Sequence, residues 1–206
     1  QDWSEAATGP TSRAHPAMAF FPDAGAIWAF GGDHFTTTNT ENDLWAFQNG
    51  AWTRLAASPL GTGWAQPHLA YSTFQGQTGL VVAHPNKDTQ LLTWDGTQVG
   101  IVRITTAAPA GAFAFDDARQ TIVLSGKDDG QLFELDLSQA QPTWHSVSTA
   151  SAPKGAFVGY DPILKQTLIV GTVAADPLDG DVWTWDGTQL HRLDLADPEG
   201  DGQRPQ

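Results

Sequence analysis

WDGTQ stands at residues 94–98 and again at 185–189. Each copy closes an alternating segment, QLLTW (90–94) or DVWTW (181–185), and opens another, VGIVRI (99–104) or LHRLD (190–194). Alternation at period two marks a half-buried strand, and Asp-Gly between two such runs marks a hairpin. Related hairpins stand at DLWAFQNGAWTRL (43–55) and QLFELDLSQAQPTWHSV (131–147). Asn49-Gly50, Asp95-Gly96 and Asp186-Gly187 are the pairs expected where both turn positions need positive φ.

Upstream of each hairpin lies a second one. Its first strand is small and apolar: PAMAFF (16–21), LAYSTF (69–74), GAFAF (111–115) and GAFVGY (155–160). After a turn such as PDAG (22–25) or DDAR (116–119) comes a nearly all-apolar strand: AIWAF (26–30), GLVVA (79–83), TIVLS (121–125) and TLIVG (167–171). A strand without polar alternation is expected to be buried on both faces. The outermost strands, WTRL (52–55) and HRLD (191–194), alternate as half-exposed edges should. The unit recurs at a spacing of about 41 to 53 residues, a period typical of blade repeats.

The expected fold is therefore all-β: a β-propeller of four four-stranded antiparallel blades, standing alone or as part of a larger or assembled propeller. The blades fall at 14–56, 57–105, 106–148 and 149–196, after an outer strand and loop at 1–13. Residues 197–206 (DPEGDGQRPQ) read as a solvated, disordered tail or linker. No segment sustains a helical period. Trp28, Trp45, Trp52, Trp94, Trp144, Trp183 and Trp185 are expected at strand positions, in the core or in blade seams.

Composition narrows the function classes. Forty per cent of the 206 residues are hydrophobic and nine are Trp, too much apolar surface for a disordered chain. The net charge of −13, with only ten Lys and Arg, disfavours a phosphate-tracking groove or an anionic membrane surface. Without cysteine there is neither a disulfide framework nor thiol catalysis. No apolar run approaches the roughly 20 residues that span a bilayer, so membrane insertion is not expected. The acidic, Lys-poor, Trp-rich composition suits an extracellular or periplasmic protein, and Gln1 is compatible with a removed signal peptide.

Blade 1 resembles a bacterial kelch repeat, of the kind that builds galactose-oxidase-like central domains. The resemblance is carried by Arg13, His15 and Met18, the Gly31-Gly32 pair, Asn42-Asp43-Leu44-Trp45 and Gly50-Ala51-Trp52. The other blades keep the layout, with His84-Pro85, Ser125-Gly126 and Gly171-Thr172 in place of the diglycine. The resemblance implies the fold, while kelch propellers host many functions. Copper-radical oxidases of this kind need a Cys–Tyr crosslink, which a chain without Cys cannot make. The Glu/Asp/His spacing of the iron-dependent specifier proteins and the Asp-box of sialidases are absent too. The segment DWSEAATGPTSR (2–13) resembles one outer strand more than a ring of four requires. It reads as an extra strand on the last blade, as the edge of a larger propeller, or as a segment pairing with a second chain.

Blade topology places the long loops on one rim and the short hairpin turns on the other. The long loops are GGDHFTTTNTEND (31–43), ASPLGTGWAQPH (57–68), GKDDG (126–130) and TVAADPLDG (172–180). Loops longer than the fold requires are where binding is expected. His15, His34, His68 and His84 fall there, and Trp64 stands in the Gly-rich stretch GTGWAQ (61–66). A loop Trp can stack on a sugar or anchor a protein, or else fold back over the channel. These five are the candidate ligand-binding residues. Asp33, Glu41, Asp43, Asp88, Asp128, Asp129, Asp176, Asp179 and Asp181 share the rim, but no spacing matches a zinc or calcium motif. No catalytic residue, metal or cofactor is assigned. The expected role is non-catalytic binding of a protein or carbohydrate. The alternatives are a metal- or carboxylate-dependent enzyme at the channel mouth of blades 1 and 2, and a self-assembling blade set.

Overall fold

A computed structural model describes residues 9–34, 40–61, 67–84, 87–147, 153–172 and 180–193. Among the described residues, sixteen strands form four four-stranded antiparallel sheets, each a meander of strands consecutive in sequence. Blade 1 holds β1 (Ala17–Phe21), β2 (Ala26–Phe30), β3 (Leu44–Gln48) and β4 (Ala51–Ala56). Blade 2 holds β5 (His68–Phe74), β6 (Gln77–Ala83), β7 (Asp88–Trp94) and β8 (Val99–Ala107). Blade 3 holds β9 (Gly111–Asp116), β10 (Thr121–Gly126), β11 (Leu132–Asp136) and β12 (His145–Val147). Blade 4 holds β13 (Lys154–Asp161), β14 (Gln166–Thr172), β15 (Gly180–Trp185) and β16 (Leu190–Arg192). The only helix among the described residues is a 3-10 turn at Pro22–Ala24.

The chain divides into two compact units, Gln1–Ile104 and Thr105–Gln206. In the first, blades 1 and 2 pack through Phe21, Trp28, Phe30, Leu44, Leu80 and Leu92, all nearly fully buried. In the second, blades 3 and 4 pack through Val123, Leu132, Val158, Ile169 and Trp185. Full burial of each such side chain stabilises by about 1.5–3 kcal/mol, so every seam is a substantial part of its unit's core.

Three expectations need correction. First, of the three pairs named for positive φ at both turn positions, Asn49-Gly50 alone has it (52° and 80°). At the WDGTQ turns, Gly96 and Gly187 have positive φ while Asp95 and Asp186 do not. Each Asp instead accepts hydrogen bonds through Oδ1: Asp95 from Thr97 and Gln98, Asp186 from Thr188 and Gln189, at 2.7–2.8 Å. The recurring Asp is a side-chain clamp on a four-residue loop. Second, burial on both faces holds for β6 over Gly79–Ala83 and for all of β10, but not for β2 and β14. Ile27 on β2 is 36% exposed and Val170 on β14 is 37% exposed. Third, Trp144 precedes β12 instead of lying on it. The expected surplus strand lies mostly outside the described residues, and the whole of the expected tail (197–206) does. Residues 9–13 form no strand.

Candidate functional site

On the long-loop rim of blade 1, backbone geometry comes first. Gly31 and Gly32 sit at φ 66° and 105°. A Cβ on Gly32 would lie 2.7 Å from the Ala14 carbonyl oxygen, so the site tolerates glycine alone. That close approach lets Ala14 and Asp33 exchange backbone hydrogen bonds of 2.7 and 2.9 Å. His15, next in the chain, adopts the left-handed conformation at φ 48°.

Beneath the turn lies a buried fork. Arg13 Nη1 donates to Asp43 Oδ1 at 2.5 Å and to the Gly31 carbonyl at 3.1 Å, while Nη2 reaches Asp43 Oδ2 at 3.4 Å. Trp45 Nε1 donates to the same carboxylate at 2.6 Å, and Arg54 approaches within 3.8 Å. Burial pushes the Asp43 carboxyl up. The hydrogen bonds from Arg13 and Trp45 and the two guanidinium charges outweigh that and hold it below its ordinary value. Asp43 therefore serves as an anchor for the turn.

Of the five candidate residues, two carry a carboxylate partner. His15 Nδ1 lies 3.1 Å from Asp33 Oδ1, and His34 Nε2 lies 2.8 Å from Glu41 Oε1. His68 begins β5; burial pushes its pKa down, and the nearby charge of His84 pushes it further. The structure thus gives each blade 1 histidine its own acid. Among the described residues, no three His, Asp or Glu side chains converge as a metal-holding group. Trp64, Asp176 and Asp179 lie outside the described residues. Asp88 is paired with Arg103 at 2.7 Å, and Asp129 accepts the Gln131 N–H within its own loop.

At the hairpin-turn ends of its blades, each unit holds one feature that the sequence did not reveal. A cavity of about 460 Å³ opens in the seam of blades 1 and 2, lined by Phe21, Ala24, Trp28, Ala46, Trp94 and Gly96. Trp28 meets Phe21 edge-on at 4.6 Å and Trp94 at 6.2 Å with ring planes 88° apart. In the seam of blades 3 and 4, Arg119 Nε donates to Asp116 at 2.8 Å and Nη1 to Glu134 Oε1 at 2.5 Å. Trp185 Nε1 donates to the same Glu134 oxygen at 2.7 Å. Burial pulls the Arg119 pKa down, but its bonds to Glu134 and Asp116 leave it raised.

Strand register makes these seams equivalent. Phe21 opposes Ala26 as Asp116 opposes Thr121. Trp28 opposes Ala46 as Val123 opposes Glu134. Ala24 and Arg119 hold the same place in their turns, and the two WDGTQ copies match Trp94 with Trp185. The exact repeat of WDGTQ was the available signal, read outward along the register.

No known protein family matches the chain, and no curated protein matches it. Among solved structures 51 chains match. One is the structure of YjhT, 14% identical over 93% of this chain and 73% of that one, with a TM-score of 0.59. A likeness at this identity is one of fold. Together with the four meandering sheets it shows a β-propeller of four-stranded antiparallel blades.

Proposed function

We propose that the chain is a kelch-like, non-catalytic binding propeller whose long-loop rim receives a protein or carbohydrate, in an extracellular or periplasmic setting. The observation that supports this reading is the blade 1 rim. A buried Arg13–Asp43–Trp45 anchor holds a glycine turn. On that turn the His15–Asp33 and His34–Glu41 pairs form a polar platform. Pre-organised polar groups on a rigid scaffold lower the ordering cost of binding. The test titrates the protein with neutral oligosaccharides and follows the His15 and His34 ring resonances by NMR. Saturable shifts at these two rings, lost in Arg13→Ala, are expected. A stoichiometric transition metal that disappears with His68→Ala would instead sink the binding-only reading.

Assembly is the second reading, favoured by apolar exposure on two sheets. Met18, Phe20 and Ile27 on blade 1 are 55%, 56% and 36% exposed, on the sheet face opposite Trp28. Phe157 and Val170, cross-strand partners on blade 4, are 71% and 37% exposed. Clustered exposed apolar residues mark contact surfaces. Sedimentation should then find a species heavier than the 22.0 kDa chain; a monodisperse monomer removes this reading.

A further inference from the structure

We infer that the hairpin-rim cavity of blades 1 and 2 binds a neutral planar aromatic ring carrying a hydrogen-bond donor. This site is separate from the long-loop rim, so either reading can fail without the other.

The molecule contains its own filled version of the cavity. In blades 3 and 4 the Arg119 side chain lies over Gly187, where an added Cβ would meet Arg119 Nη1 at 2.7 Å and Cδ at 2.9 Å. At the equivalent Gly96 an added Cβ would meet nothing within 4 Å. The space is open because Ala24 replaces Arg119 and Ala46 replaces Glu134. One seam is plugged by its own chain; the other keeps the socket.

The chemistry of the socket selects its occupant. No Lys, Arg or His lines it, and its one charged residue is Asp23, so an anion finds no cationic partner. The two carboxylates that neutralise Arg119 are replaced by Phe21 and Ala46, so a cation at full depth would be buried uncompensated. A neutral body remains. The nearly perpendicular rings of Trp28 and Trp94, with Phe21 beside them, suit edge-to-face contact with an aromatic ring. At the mouth, Asp23 already accepts the Thr78 hydroxyl at 2.6 Å and the Tyr71 hydroxyl at 3.3 Å. A carboxylate has acceptor sites beyond these, so a ring N–H or O–H can be received there. The volume of about 460 Å³ is within the usual range for small-molecule sites.

Such a ring can arrive as a free small molecule or as a Trp or Tyr side chain of a partner. Saturation-transfer NMR with the full chain, using indole and N-acetyltryptophanamide as probes, separates the sources. Tighter binding of indole identifies a free ligand; tighter binding of the amide identifies a protein side chain. Ala24→Met sets a neutral side chain of similar reach in an exposed turn and should weaken both probes at least tenfold. Thr53→Trp, filling the cavity from the β4 side, should do the same and serves if the first variant folds poorly. Absence of saturable binding at millimolar probe, or equal binding to wild type and both variants, overturns the inference.

Discussion

The two blade seams solve one packing problem with opposite chemistry. Blades 1 and 2 close on Phe21, Trp28 and Trp94, an aromatic cluster with a residual cavity. Blades 3 and 4 close on Asp116, Arg119 and Glu134 beneath Trp185, an ionic cluster that fills the same place. The comparison teaches that a blade repeat fixes where side chains meet but not what they are. An aromatic seam draws on burial and tolerates a void, whereas an ionic seam is sound only while every charge keeps its partner. Even here one donor, Arg119 Nη2, is buried without a partner among the described residues.

The largest effect should come from Trp28→Ala. It removes a side chain that is 1% exposed and central to the aromatic seam, and should cost about 4 kcal/mol in denaturant unfolding. A loss under about 1 kcal/mol would break the claim that aromatics hold this seam. Next, Glu134→Ala leaves Arg119 with Asp116 alone and deprives the Trp185 indole of its acceptor. A loss of about 3 kcal/mol is expected. Replacing the whole ionic cluster sharpens the comparison further. Asp116→Phe, Val123→Trp, Arg119→Ala and Glu134→Ala together copy the first seam into the second. The combined variant should lie within about 2 kcal/mol of wild type, far from the sum of its single substitutions.

Smaller effects appear against pH. His68 is held below its ordinary 6.5 by burial and by His84, so the unfolded chain binds this proton more readily than the folded one. Stability from the neutral ring is complete above pH 6.5 and declines as pH falls from there towards the folded value. His68→Gln should flatten that slope in urea titrations at pH 7.5 and 5.5, and an unchanged slope would contradict it. Asp186 is held down to about 2 by the Gln189 N–H and by Thr188, so its contribution is present above 3.8 and fades as pH drops towards 2.

Strands were legible because alternation and hairpin turns are local signals, and AIWAF (26–30) spans the residues the sequence predicts although Ile27 faces out. The Asp95 and Asp186 turns were misread because Asp-Gly also suits a loop in which the Asp side chain replaces backbone strain. Arg13, Asp43 and Trp45 stood out in the sequence only as parts of a repeat motif, and the fold brings them together at one carboxylate. The hairpin-rim features were hidden for a different reason. Arg119 reads as an ordinary turn residue in DDAR (116–119), and Glu134 as the polar member of a strand. Their partnership spans 15 residues, and the Trp185 bond to Glu134 spans 51, so only register brings them together.

The central claim, that equivalent tryptophans seal seams of opposite chemistry, is tested most directly at the indole N–H groups. Solvent exchange of the Trp185 and Trp94 indole protons is measured by 15N NMR in wild type and in Glu134→Ala. The account predicts a strongly protected Trp185 proton that exchanges much faster in the variant, with the Trp94 proton unchanged. A Trp185 proton that exchanges freely in wild type, or stays protected without Glu134, would contradict it.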